Sequence, residues 1–198
     1  MQIQAIILDI GGVLWRADGP PLSEKWATRC GLDAETFDRI VFASEWGKQA
    51  LRGTITSEEE WATIGAVLNL SSVAIHELER DSWIGRWDTV LLDYLRTLKA
   101  SYKLGIISDA PTGTRAKVSE WVNEDLFDVI VFSAEEGICK PDPRIFRSAL
   151  GRLGVEASAS IFIDDRLRNV EGAKQLGMHA IHYEGFSHLV SALSDYIS

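Results

Sequence analysis

The sequence predicts an α/β protein, a doubly wound parallel Rossmann-like sheet with an all-helical cap inserted near its start. Three observations carry that expectation. Short apolar runs alternate with helical stretches, the pattern of parallel strands buried on both faces. Four of these runs end at or just before a polar group, where ligands bind in open sheets of this kind. Between about Leu22 and Arg80, only helical signals remain.

The first run, Ile6-Ile7-Leu8-Asp9, is followed at once by Gly11 and Gly12, which let the chain turn sharply past a strand end. An amphipathic segment opens at Ser23-Glu24-Lys25-Trp26 and stops at Gly31, and a second runs from about Ala34 to Glu45. Trp46-Gly47-Lys48 is expected between two helices, either as an aromatic and a cation lining a pocket or as a packed ring and a solvated charge. Ser57 with Glu60 three residues on reads as a capping box ahead of Trp61, Ile64 and Leu68. Ser71 or Ser72 caps the next helix. The α/β rhythm resumes near Trp87 with a helix through Val90, Leu91, Tyr94 and Leu98. Strands are expected at Lys103–Ser108, Asp128–Phe132, Ser160–Asp164 and His179–Tyr183. Helices follow over Thr114–Val122, from Pro143 to Leu153, up to Gly177, and from His188 to Ile197. The divisions expected are a core of residues 1–15 and 84–198 and a cap of residues 16–83.

Composition narrows the partners. The 198 residues carry a formal net charge of −9, so no broad basic face for nucleic acid can be assembled. A few well-placed cations can still dominate a crevice. Two cysteines, Cys30 and Cys139, are too few for a disulfide framework and fit a reducing compartment. No membrane-spanning run or secretory signal is visible, so a cytoplasmic monomer or homodimer is expected.

At the predicted sheet edge, Asp9, Ser108, Lys140 and the pair Asp164-Asp165 come from separate strand ends. Carboxylates brought that close repel one another unless a cation lies between them, and an all-oxygen set suits Mg²⁺. With a hydroxyl and a fixed lysine charge added, the set suits phosphoryl transfer. A lone aspartate at a strand end would be an ordinary turn or cap residue; the ordered set carries the argument.

These residues resemble the haloacid dehalogenase superfamily of aspartate-nucleophile hydrolases, in the branch with a small helical cap after the first motif. Asp9 matches its nucleophile and Ser108 its second-motif hydroxyl. Lys140, within Gly137-Ile138-Cys139-Lys140-Pro141-Asp142-Pro143, matches its lysine motif, and Asp164-Asp165 with Asn169 and Gly172-Ala173 its acidic motif. The resemblance covers nearly the whole chain. It implies an aspartyl-phosphate intermediate, a small phosphomonoester substrate, and Mg²⁺ held by Asp9, the Gly11 carbonyl, Asp164 and Asp165.

Two positions depart from the pattern. The family's phosphatases usually carry an aspartate as general acid two residues after the nucleophile; here that place is Gly11. The missing proton donor is worth roughly 10²–10⁴ in rate. A phosphate-binding protein without turnover is therefore an alternative, and a 2-haloacid dehalogenase, whose halide needs no proton, is another. Asp109 replaces a commoner asparagine. It is read as a hydrogen-bond acceptor for the first-motif loop or the helix start behind it, or as a substitute acid. Gly11, Gly12, Asp109 and Arg16 make up the expected substrate-facing set. Arg16 either reaches an anionic substrate or forms a surface salt bridge. Arg166 and Arg168 read as balancing the acidic pair, and Cys139 as a packed residue or a thiol of lowered pKa.

Overall fold

A computed structural model describes residues 2–119 and 124–197. In chain order the elements are β1 (Ala5–Leu8), β2 (Trp15–Ala17), α1 (Leu22–Cys30), α2 (Ala34–Phe42), α3 (Glu45–Leu51), α4 (Ser57–Val67), α5 (Ser72–Ser82), β3 (Gly85–Trp87) and α6 (Thr89–Leu98). They continue as β4 (Lys103–Ser108), α7 (Thr114–Ser119), β5 (Val129–Phe132), α8 (Ser133–Glu136), α9 (Pro143–Leu153), β6 (Ser160–Asp164), α10 (Leu167–Gln175), β7 (His179–His182) and α11 (Phe186–Ser194). Val122, the expected end of the helix from Thr114, lies outside the described residues.

Five strands form one parallel sheet in the order β5-β4-β1-β6-β7. The most apolar strands, β1, β4 and β6, are central, and the residues of β1 and β6 are buried along their whole length. Period-two alternation divides β1 between two cores. Ile6 and Leu8 join a cluster with Leu91, Leu95, Leu189 and Leu193. Ala5 and Ile7 join Ile145, Phe146, Ala149 and Phe162 on the opposite face. Parallel pairing in register, Leu8 beside Ile106 and Ile163, brings three strand ends to one edge of the sheet.

The helices α1–α5 leave and rejoin the sheet through a two-stranded antiparallel hairpin, Trp15 facing Trp87 and Ala17 facing Gly85. This hairpin was not foreseen, because three-residue strands carry no readable alternation. A Cβ on Gly85 would come within 2.1 Å of the Trp15 ring, so only glycine lets the strands close there. The five helices bury a cluster of their own, with Trp26, Phe37, Val41, Ile64 and Leu78 at its centre.

Two local expectations are corrected. Trp46-Gly47-Lys48 lies inside α3 rather than between helices. The preceding helix stops at Phe42, and the Ser44 hydroxyl accepts the Gly47 N–H at 3.1 Å to start a new one. Lys48 pairs with Glu45 at 3.2 Å, and Trp46 packs on the helical cluster. The capping box is formed by Thr56 and Glu59, one residue before the expected pair. Thr56-Ser57-Glu58-Glu59-Glu60 contains that spacing twice, and the helix uses the earlier copy.

Glu60 is thereby freed to turn inward. Burial pushes its carboxyl up to about 7, with nearby Glu79 adding repulsion. Between the ordinary value of 4.5 and about 7, the folded chain holds a proton there that the unfolded chain has released, so stability falls as pH rises through that window. Glu60→Gln should stabilise the protein by about 1 kcal/mol at pH 8, allowing for the group's partial exposure, and leave it unchanged at pH 4. Urea unfolding at the two pH values tests this; an equal gain at both would point to packing instead.

Candidate active site

The site is built where β1, β4 and β6 end. Asp9 follows β1 directly, and its Oδ1 accepts the N–H of Ile10 at 2.7 Å. The chain then folds back tightly: Val13 and Trp15 donate to the Ile10 carbonyl at 3.2 and 2.8 Å, and Gly12 donates to Trp15 O at 2.9 Å. Gly12 has φ +77°, and a Cβ there would meet Asp165 Oδ2 at 2.3 Å. Gly12 is what lets the first loop and the acidic loop approach each other. Gly11 differs, since a Cβ added to it meets nothing within 4 Å.

Lys140 is the buried centre. Its Nζ lies 2.9 Å from Asp9 Oδ2 and 2.8 Å from Asp164 Oδ2, and donates to Ile107 O at 3.1 Å. Burial alone would depress the ammonium, but Asp9, Asp164 and Asp109 outweigh it and hold its pKa above the usual lysine value. Asp164 is fully buried, yet it also accepts the Arg166 N–H at 2.8 Å and the Asn169 amide at 3.0 Å to each oxygen. For Asp9 burial dominates. It lifts the carboxyl to about 6 against the pull of Lys140, with Asp164 adding repulsion.

Lys140→Met would leave Asp9 and Asp164 buried without their shared cation. The expected loss is about 3–5 kcal/mol of stability near neutral pH. Urea unfolding in EDTA should show that loss shrink as pH falls, because Asp9, already raised to about 6 with Lys140 beside it, goes higher still without the cation and takes up a proton. A variant as stable as the parent would show that the lysine does not balance the carboxylates.

Asp165, exposed at the rim, completes a group in which Asp9, Asp164 and Asp165 each offer an oxygen, all within 4.8 Å of one another. Two of the three are buried, and all the donors are oxygen, which suits a hard divalent cation. The His182 ring contacts Asp165 O at 2.9 Å and helps fix this rim.

The remaining expected residues divide. Ser108 is buried at the end of β4. Asp109 accepts the backbone N–H of Lys140 at 2.9 Å, so it ties the second loop to the lysine loop and not to the first loop or the helix behind. Burial raises its pKa, opposed by Lys140. Of the two readings of Arg16, the structure shows the salt bridge: its Nη2 pairs with Asp88 at 2.9 Å and donates to Tyr183 OH at 2.6 Å. Both partners lie outside the helical insertion, and the pairing braces the hairpin. The Cys139 thiol is pushed up by burial and by Asp109, not down.

Ser133, just past β5, was not foreseen. Fully buried, it accepts the Ala110 N–H at 2.9 Å and donates to Ala110 O at 3.3 Å, pinning the loop that carries Ser108. The available signal was a serine directly after an apolar strand, as at Ser108.

A parallel sheet with carboxylates, a hydroxyl and a buried lysine at its carboxyl edge defines a hydrolase core. The model of the haloacid dehalogenase-like hydrolases matches residues 3–177, and the chain belongs to that family. Sesquiterpene phosphatase astK of Aspergillus oryzae is 30% identical over 182 residues, covering 90% of this chain and 89% of the relative. Drimenol cyclase drtB of Aspergillus calidoustus is 29% identical over 193 residues, covering 90% of this chain. Mouse acyl-CoA dehydrogenase family member 10 is 29% identical over 189 residues, again across 90% of this chain. The chain spans only 34% and 18% of those two proteins' lengths. A HAD family enzyme of Bacteroides thetaiotaomicron superposes with a TM-score of 0.81 at 24% identity, covering 96% of this chain and 99% of that one. The same enzyme has been crystallised with magnesium and inorganic phosphate. Among the described residues, no helix is long and apolar enough to cross a membrane.

Proposed function

We propose that the chain is a Mg²⁺-dependent phosphoric monoester hydrolase acting on a small phosphorylated metabolite through an aspartyl-phosphate. The observation that carries this reading is the buried Lys140 bridging Asp9 and Asp164, with Asp165 close by. A phosphatase among the full-length relatives and a magnesium–phosphate complex of a same-fold enzyme support it.

In this mechanism Asp9 attacks phosphorus, and its backbone bond to Ile10 keeps the second oxygen in place. Lys140 neutralises the charge that gathers on the phosphoryl oxygens, and Ser108 offers them a hydroxyl. Asp9, Asp164, Asp165 and the Gly11 carbonyl would hold Mg²⁺. Once bound, that ion would supply Lewis-acid neutralisation of phosphate charge. Asn169 and the Arg166 N–H keep Asp164 oriented, and Asp109 holds Lys140 in register. The helical insertion, residues 16–83, acts as a cap over the crevice and shields the intermediate from bulk water.

Metal removal tests the reading. With EDTA, p-nitrophenyl phosphate hydrolysis should fall at least about 100-fold, the counterpart of several kcal/mol of transition-state neutralisation, and recover on adding MgCl₂. Indifference to EDTA would overturn it. Chloride release from 2-chloropropionate without metal would favour a dehalogenase. Tight binding of beryllofluoride with no ester turned over would favour a phosphate-binding protein.

A further inference from the structure

Two side-chain features of the crevice that the mechanism above leaves unused point to the same kind of substrate. The first is the open space at Gly11. The leaving group departs with no side-chain acid at the family's usual position, and nothing else fills that place. A substrate suited to this site is one whose leaving group is stable as an anion.

The second is a set of unpaired guanidiniums. Arg52, Arg166 and Arg168 are exposed, and none makes a side-chain hydrogen bond or ion pair among the described residues. They come from two sides of the site. Arg52 caps α3 in the insertion, next to Leu51, whose carbonyl accepts the Cys139 thiol at 3.5 Å. At the adjoining Gly53, a Cβ would stand 2.2 Å from Ala134 O, so this end of the insertion lies directly on α8, which precedes the loop to Lys140. Arg166 and Arg168 follow Asp165 at the start of α10. Arg52 and Arg168 are close enough to the Cys139 thiol to favour its anion, and Arg166 acts likewise on Asp109. All three therefore lie within electrostatic reach of the Asp109–Cys139–Lys140 lip. They do not neutralise the acidic pair by direct contact, since no ion pair joins them to it. In a chain of net charge −9, three uncommitted cations at one lip form a local anion-attracting patch.

Resting on the phosphatase reading, we propose that the preferred substrates are monoesters of diphosphate, whose terminal phosphoryl is transferred to Asp9 and whose remaining phosphate meets Arg52, Arg166 and Arg168. The bond that breaks is the one between the terminal phosphorus and the bridging oxygen. Its electron pair stays on that oxygen, and the departing group is an alkyl phosphate dianion that needs no proton. Asp9 gains the phosphoryl group. Water then attacks phosphorus, the carboxylate recovers its electron pair, and orthophosphate leaves with one proton released to solvent. The guanidiniums offer the departing phosphate the forked donors that phosphate oxygens accept. An acid at position 11 would be superfluous for such a substrate.

The test compares butyl diphosphate, butyl phosphate and p-nitrophenyl phosphate with Mg²⁺ present. For butyl diphosphate kcat/KM should exceed that for butyl phosphate by about 100-fold or more, the factor a missing acid costs an alkyl ester. In ¹⁸O-water, ³¹P NMR should find the label in orthophosphate and none in butyl phosphate. The exposed triple variant R52Q/R166Q/R168Q should fold normally. It should lower the ratio of kcat/KM for butyl diphosphate to that for p-nitrophenyl phosphate by about tenfold or more, as expected for lost charge-assisted contacts. Turnover of p-nitrophenyl phosphate with no preference for the diphosphate would overturn this proposal and leave the phosphatase reading standing. An unchanged ratio in the triple variant would overturn the role of the guanidiniums, and label in butyl phosphate would overturn attack at the terminal phosphorus. No turnover of any of the three esters would defeat both readings.

Discussion

Asp9→Asn should slow p-nitrophenyl phosphate hydrolysis by at least about 10⁴-fold while leaving the protein as stable as the parent or more so. The two halves have one cause. An amide keeps the shape of the carboxyl, and its one oxygen can still accept the Ile10 N–H, so the loop after β1 keeps its anchor while the NH₂ takes the side facing Lys140, which retains Asp164 as its partner. It cannot form the aspartyl-phosphate. The carboxylate it replaces is costly to keep, because burial holds its pKa at about 6 against an ordinary value of 3.8. A folded-state value raised above the unfolded one means that stability is full below about pH 4 and declines until about pH 6. At pH 7.5 in EDTA the variant should therefore gain on the order of 2 kcal/mol in urea unfolding, and at pH 4 nothing. Turnover near the parental level would remove Asp9 from the mechanism. A large stability loss at pH 7.5 would show that the charge is needed for folding.

Gly11→Asp should change activity in the opposite direction. Gly11 is exposed, its backbone is not in the left-handed region, and the added side chain meets no neighbour. An aspartate there can donate a proton to a departing alkoxide. For simple alkyl phosphates the rate should rise by about 10²–10⁴, and p-nitrophenyl phosphate, whose phenolate leaves unaided, should gain little. A series of esters with graded leaving-group pKa measures both proteins. The parent should show a steep dependence and the variant a shallow one. A flat dependence in the parent would mean that some other group already supplies the proton.

How much of this was readable in the sequence depends on the kind of signal each element carries. β1, β4 and β6 are legible because strands buried on both faces must be apolar throughout, so their ends stand out against Asp9, Ser108 and Asp164. The helix from Pro143 is legible because proline fits the first turn and little else. The β2–β3 hairpin is not, since Trp15-Arg16-Ala17 continues an apolar stretch and its partner lies some 70 residues away. Position along the chain was sufficient for Asp9 and Asp164, which stand at strand ends and meet at Lys140 in the loop after α8. It could not choose a partner for side chains with several within reach: Arg16 turns to Asp88 and Tyr183, the salt-bridge alternative of its two readings, and Asp109 turns to the Lys140 backbone. Ser133 was missed because its work is done on Ala110, a residue with no side-chain chemistry to attract attention.

The hairpin at Trp15 and Trp87 also makes the molecule modular. Cross-strand partners sit side by side, so the intervening helices enter and leave at a single point, and to the sheet they count as one long loop. Lengthening such a loop costs little, about 0.6 kcal/mol for each doubling. Helices from a relative could be spliced between the same two tryptophans without disturbing the strand register. The chemistry of the crevice and the choice of what enters it can thus diverge largely apart: the chain passes between them through three residue pairs of antiparallel ladder, and the contacts to be matched elsewhere are few, Leu51 with Cys139, Gly53 with Ala134, Ser57 with Thr112 and Glu79 with Lys117 among them.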